Sequence, residues 1–145
     1  MPLPTDPQAL AEACAAAMWA DDTASQGLGM VLEAVGPGTA RMAMPVRDGM
    51  VNGHGLCHGG FIFTLADSTF AFACNSHNNA AVASAASIEF LKPALLGDVL
   101  TCVGVEQVLS GRHGVYDMTV RNQKDQVIAL FRGKSAQIQG QVVPT

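Results

Sequence analysis

The chain has 145 residues, 49% of them hydrophobic and 14% charged, with a formal net charge of −4. A disordered chain, which pairs low hydrophobicity with high net charge, is excluded, and the acidic balance argues against a general nucleic-acid binder. No apolar run reaches the roughly 18 residues of a membrane span, and the most apolar stretch, Phe61 to Cys74, is interrupted by Asp67.

The first predicted element is a helix. Asp6-Pro7 supplies an N-cap and a proline at the first helical position. Leu10, Ala13, Cys14, Ala17 and Met18 then recur at helical spacing. The end falls near Ala20 to Asp22, where two acids oppose the helix dipole and predict fraying. Leu28 to Val35 and Thr39 to Val46 read as strands joined by a turn at Gly36-Pro37-Gly38. A glycine-rich loop, RDGMVNGHGLC, covers Arg47 to Cys57. His58 to about Ser76 follows as one long helix, apolar all round and so expected to be buried on nearly every side. Four strands complete the chain: Val82 to Lys92, Val99 to Leu109, Gly114 to Gln123 and Gln126 to Ile138. In the third, Tyr116, Met118 and Val120 alternate with Val115, Asp117, Thr119 and Arg121. No βαβ spacing occurs after residue 80, so the sheet should be largely antiparallel. The expectation is a single α+β domain over residues 1–145. About five to six strands wrap a long central helix, and the N-terminal helix, a partner or solvent covers the sheet's other face.

The four cysteines, Cys14, Cys57, Cys74 and Cys102, form no CxxC pair. Their scatter, with no basic n-region at the N-terminus, predicts reduced thiols packed as small hydrophobes in a cytoplasmic protein. His54, Cys57 and His58 crowd too many ligands together for a metal, and no second ligand pair follows, so no metal or other cofactor is expected.

Asp67 is the most informative residue. It is the only charged side chain between Phe61 and Ser76. On a helix it shares a face with Phe63, Phe70 and Cys74, surroundings that raise a carboxyl's pKa and that favour a working site. Thr64 and Ser68 lie beside it, free either to bond the carboxylate or a water, or to bond back to helix carbonyls. His58-Gly59-Gly60 stands where loop becomes helix. The first N–H groups of a helix lack partners and carry its positive end, so they can polarise a carbonyl; the glycines let a ligand approach, or simply permit a tight turn. Asn52, before Gly53, is either an orienting amide or an ordinary turn residue. Charge is uneven: residues 1–90 hold two bases against eight acids, residues 91–145 six bases against four acids. The C-terminal half is therefore suited to ligand phosphates, or simply carries a solvated strand face.

The segment MVNGHGLCHGGFIFTLADSTFAFACNS (50–76), with ASIEFLKPALLGDVL (86–100) and GRHGVYDMTVRNQ (111–123), resembles the PaaI-type acyl-CoA thioesterases of the hot-dog fold. The resemblance implies that the long helix is enclosed by the antiparallel sheet. It implies roles for matching positions: Asp67 as catalytic carboxylate, nucleophile or base for water; Gly59 as the backbone donor to the thioester carbonyl; Asn52 as the loop amide that positions the reacting groups; Ser68 as the hydroxyl beside the attacking water. Phe61, Met50 and Val51 are expected around the acyl group, His58, Gly60 and Thr64 as further substrate-binding residues, and Lys92, Arg112 or His113 near the CoA phosphates. The implied substrate is an arylacetyl-CoA, phenylacetyl or ring-hydroxylated phenylacetyl, and the implied assembly a tetramer of dimers. Gly59 and Asp67 are eight residues apart, about 12 Å along one helix, too far to serve one carbonyl. The carboxylate must then come from a second subunit, across a two-fold interface. Two other readings stay open. One is a non-enzymatic acyl-CoA binder, which would not need Asp67. The other is an acyl-thioester hydratase or dehydratase, disfavoured because the helix has no histidine near Asp67 to complete an acid–base pair.

Overall fold

The computed structural model describes residues 2–144. Helix α1 spans Pro7–Asp21, and Asp6 caps it by accepting from the Ala9 N–H. The expected fraying does not occur. The Asp22 N–H bonds back to the Trp19 carbonyl, and the Asp22 carboxylate caps a short second helix, α2 (Thr23–Gly27), by accepting from the Ser25 N–H. Strand β1 (Val31–Gly36) begins three residues later than predicted because this turn continues through Leu28 and Gly29. It turns at Pro37-Gly38, with Gly38 at φ 72°, into β2 (Thr39–Pro45), the arrangement proline then glycine favours. A single 3₁₀ turn, Asp48–Met50, precedes the central helix α3 (Gly59–Cys74). The remaining strands are β3 (Ala81–Phe90), β4 (Val99–Ser110), β5 (His113–Arg121) and β6 (Val127–Gln137).

The six strands form one antiparallel sheet in the order β1-β2-β4-β5-β6-β3. Helix α3 lies across its concave face, chiefly over β2, β4 and β5. The alternation read in β5 holds: Tyr116, Met118 and Val120 point into the core. Two strand glycines let the helix close in. A Cβ on Gly133 would fall 2.7 Å from the Phe70 ring, and one on Gly104 would meet Met118 and Thr69. Phe70 in turn packs against Tyr116 and Phe131. Burying such rings contributes on the order of 2–3 kcal/mol each.

One open alternative is decided and two expectations are corrected. Helix α1 does not cover the outer face of the sheet; it lies beside α3 and β1, with Trp19 against Phe72 and Cys14 donating to Asn78. Its buried residues are Ala11, Cys14 and Ala15, while Ala17 is exposed. A helix this rich in alanine carries little directional pattern, and the large Trp19 sets its rotation. The outer face stays open, with Val103, Val105 and Leu130 exposed around the Asp117–Arg132 ion pair. Finally, α3 is not buried all round: Gly60, Thr64, Asp67, Ser68 and Ala71 remain accessible along one stripe.

Candidate active site

The loop before α3 is a closed structure built on Asn52. Its Oδ1 accepts from the N–H groups of His54 (2.9 Å) and Leu56 (3.1 Å), and its own N–H donates to the Leu56 carbonyl. Gly55, at φ 75°, makes the reversal possible. The turn role of Asn52 is thus observed, and its Nδ2 makes no bond among the described residues. The Cys57 N–H donates to the Ala94 carbonyl and ties the loop to the segment after β3, while the His58 N–H donates to the Met50 carbonyl and closes the loop on itself.

His58 is the N-cap of α3 but offers no side-chain cap. The N–H groups of Gly59 and Gly60 have no acceptor among the described residues, so the positive end of a 16-residue helix is left open. Beside it lies a cavity of about 440 Å³, lined by Cys57, Gly59, Ile62, Phe90, Leu91, Lys92, Pro93 and Ala94. Phe90 stands directly against the glycine: a Cβ on Gly59 would fall 2.8 Å from Cζ of the Phe90 ring. Phe90 is half-exposed. Its contact with Gly59 joins positions 31 residues apart and has no local sequence signal.

Asp67 lies two turns further along α3, outside that cavity. On one side of it are buried Phe70 and Cys74 and part-buried Phe63; on the other is the accessible stripe. Its carboxylate makes no hydrogen bond among the described residues, and burial pushes its pKa above the ordinary aspartate value. The Cys74 thiol is pushed up to about 12, first by burial, with the Asp67 charge adding to it.

Neither neighbouring hydroxyl reaches the carboxylate. Thr64 Oγ1 donates to the Gly60 carbonyl at 2.8 Å, the helix back-bond. Ser68 makes a contact that its sequence neighbourhood does not signal: its Oγ meets Ser25 Oγ of α2 at 2.8 Å, and Ser25 Oγ donates to Asp22 Oδ2 at 2.7 Å.

The structure brings Gly59 and Lys92 to one cavity and sets Asp67, Ser68 and Thr64 together on the open stripe. It does not gather every expected residue. Met50 is buried in the core, part-buried Phe61 and Val51 pack against it, and His58 and Gly60 are exposed at the helix start. Arg112 and His113 stand at the β4–β5 turn, where Arg112 donates to the Gln137 carbonyl. The β3–β6 register pairs Ala81 with Gln137 and Phe90 with Ala129, so Lys92 and the Arg112–His113 turn lie at opposite ends of the sheet. Within one chain these bases cannot hold the same phosphates.

One long helix held by a curved antiparallel sheet, with unpaired N–H groups at the helix start and a lone carboxylate on it, defines a hot-dog enzyme. A profile described as "Thioesterase superfamily" matches residues 54–129. The acyl-coenzyme A thioesterase PaaI of Escherichia coli is 44% identical over 126 residues, covering 87% of this chain and 90% of that protein. The E. coli PaaI structure, from the phenylacetic acid degradation operon, superposes with a TM-score of 0.92 at 43% identity, covering 94% of this chain and 99% of that one. A point mutant of the phenylacetic acid degradation protein PaaI from Thermus thermophilus gives 0.75 at 33% identity, covering 79% and 97%. A Streptococcus mutans protein bound to acetyl CoA gives 0.74 at 30%, covering 77% and 90%. The chain belongs to the thioesterase superfamily, as a thioesterase of the PaaI type.

Proposed function

We propose that this protein hydrolyses arylacetyl-CoA esters, phenylacetyl-CoA or its ring-hydroxylated forms, to the free acid and CoA. The observation that carries the reading is the pairing of an open helix N-terminus, Gly59 and Gly60, with an unbonded carboxylate of raised pKa, Asp67. The PaaI relative's name and operon support the substrate class, and the acetyl CoA bound to the S. mutans protein supports the CoA moiety.

The chemistry needs a polarised carbonyl and an attacking oxygen. A thioester oxygen accepts from the Gly59 N–H, where the helix dipole favours developing negative charge. Asp67 takes a proton from water as the water oxygen adds to the carbonyl carbon, or adds itself to give an anhydride that water then opens. Either way the C–S bond breaks, and the thiolate leaves without a strong acid. Asn52 Nδ2 is free to orient the reacting groups, and the cavity beside Gly59 and Phe90 gives the acyl-thioester end room.

The site is complete only in a dimer. The eight residues from Gly59 to Asp67 span about 12 Å of helix, so the Asp67 serving one Gly59 comes from a second copy. Two features support this. The accessible stripe of α3 carries small side chains that let a second helix approach. Strand β3 is an edge of ten residues, largely exposed and rich in alanine and serine, an unprotected edge of the kind that pairs with another strand. The exposed valines of the outer sheet face suit a further pairing of dimers into a tetramer. One continuous core is consistent with a single domain over the whole chain, and four free cysteines with the cytoplasm.

The test is release of CoA thiol from phenylacetyl-CoA, hydroxyphenylacetyl-CoA, benzoyl-CoA and a short aliphatic acyl-CoA by wild type and Asp67→Asn. Release from the arylacetyl esters, lost by at least ~10²-fold in the variant, is expected. Tight binding with no release overturns the reading and leaves an acyl-CoA binder; equal release by the two proteins removes Asp67 from the chemistry.

A further inference from the structure

The hydroxyl chain that links α2 to α3 has a direction that can be deduced. Asp22 Oδ1 accepts from the Ser25 N–H at 3.0 Å, and Asp22 Oδ2 accepts from Ser25 Oγ at 2.7 Å. An ionised carboxylate only accepts, so the single proton of the Ser25 hydroxyl is committed to Asp22. Ser25 is 1% exposed, closed off from the bulk solvent that could offer its proton another acceptor. In the Ser25–Ser68 contact at 2.8 Å, the proton must therefore come from Ser68. The Ser68 hydroxyl is then held as a donor inward, towards α2, and its two lone pairs are left to accept on the accessible side of α3.

Resting on the catalytic reading above, we propose that Ser25 and Asp22 are positioning residues that fix Ser68 as a pure acceptor for the hydrolytic water beside Asp67. A water with two acceptors, the Asp67 carboxylate and Ser68 Oγ, directs one hydrogen to each and turns a lone pair away from both, toward the carbonyl carbon. The arrangement also protects the base. Thr64, Ser68 and Thr69, the hydroxyls within three residues of Asp67, all point their protons elsewhere. A donated bond would stabilise the carboxylate and weaken it as a base. Were Ser68 free to rotate, it would compete with water for Asp67.

Asp22→Asn tests the direction without removing the cap, since asparagine caps helices as well as aspartate. The Ser25 N–H can only donate, so the new amide must present its oxygen there and its NH₂ to Ser25 Oγ. Ser25 then turns its own proton to Ser68, and the chain runs backwards. Steady-state kinetics of CoA release from phenylacetyl-CoA would be measured for Asp22→Asn and Ser25→Ala, each with Ser68 intact and with Ser68→Ala. With Ser68 intact, each is expected to lower kcat about five- to tenfold, the size of one ordinary hydrogen bond, and to move KM by less than about twofold. In the Ser68→Ala background the same changes are expected to have no further effect. An unchanged kcat in both variants, or an equal loss with and without Ser68, overturns the proposal; the latter means a general structural role. Asp67→Asn in the same assay separates the two levels. If it is inactive while Ser25→Ala and Asp22→Asn are normal, only the positioning role falls; if it stays active, the catalytic reading falls first.

Discussion

The two ends of α3 are built on opposite principles. At its C-terminal end nearly every polar group is matched. Asn75 donates to the carbonyls of Ala71 and Ala81 and accepts from the Ala81 N–H. Ser76 accepts from the Gly38 N–H and donates to the Ala73 carbonyl. His77 and Tyr116 both bond Glu106 Oε1, at 2.8 and 2.7 Å. At the N-terminal end His58 offers no side-chain cap, two glycine N–H groups have no acceptor among the described residues, and a cavity adjoins Gly59. The same helix is anchored at one end by saturation and keeps unmatched donors at the other. A helix end without partners is a cost to folding alone, and here it stands where the proposed chemistry needs donors.

Gly59→Ala should break this contrast most severely. A methyl group there meets the Phe90 ring, so the ring or the helix start must shift. We expect kcat/KM for arylacetyl-CoA to fall by about 10²-fold, the scale of a misplaced reacting group, with the melting temperature nearly unchanged. A full-speed enzyme would mean that the Phe90–Gly59 contact does not govern where the reacting carbonyl sits.

At the other end, Asn75→Ala should do the reverse. It strands the Ala81 N–H where β3 begins, and should destabilise the fold by about 2–3 kcal/mol, as buried unsatisfied groups do. Denaturant melts would measure this, and kcat of the folded enzyme should match wild type. A kinetic defect as large as that of Gly59→Ala would erase the distinction between the ends.

A subtler shift concerns Asp67 itself. Burial raises its folded pKa above the unfolded value. Such a group contributes stability below the unfolded pKa that is lost as pH rises through the folded one. Asp67→Asn should therefore melt higher than wild type at neutral pH, and the gap should close as pH falls through the carboxylate range. A variant that melts lower at pH 7 would mean that the charge is satisfied by contacts a single chain lacks.

Much of this was legible because it is local. Period-two alternation marked β5, and the Asp6-Pro7 pair marked the start of α1. The apolar run with one acid marked α3 and Asp67, and the glycines marked the open helix start. What escaped had weak or non-local signals. Helix α2 is five residues long and hangs on one aspartate that serves two helices. Alanine-rich α1 gave an ambiguous face. The candidates for the CoA phosphates, Lys92, Arg112 or His113, carried no sign in the sequence that an antiparallel pair sets Lys92 at the opposite end from the other two.

Apart from the short α2 and the 3₁₀ turn, the elements, the antiparallel class and the candidate chemical residues follow from the chain read in order. Periodicity, capping and the cost of a charge in an apolar helix act over a few residues. Which groups meet was settled by packing in three dimensions: Phe90 on Gly59, Asn75 on β3, and Ser25, 43 residues from Ser68, turning a hydroxyl that the helix alone would have bonded to its own backbone. The contacts at Gly59 and Ser68 close long loops, and their partners are chosen by the fit of distant surfaces rather than by any pattern along the chain.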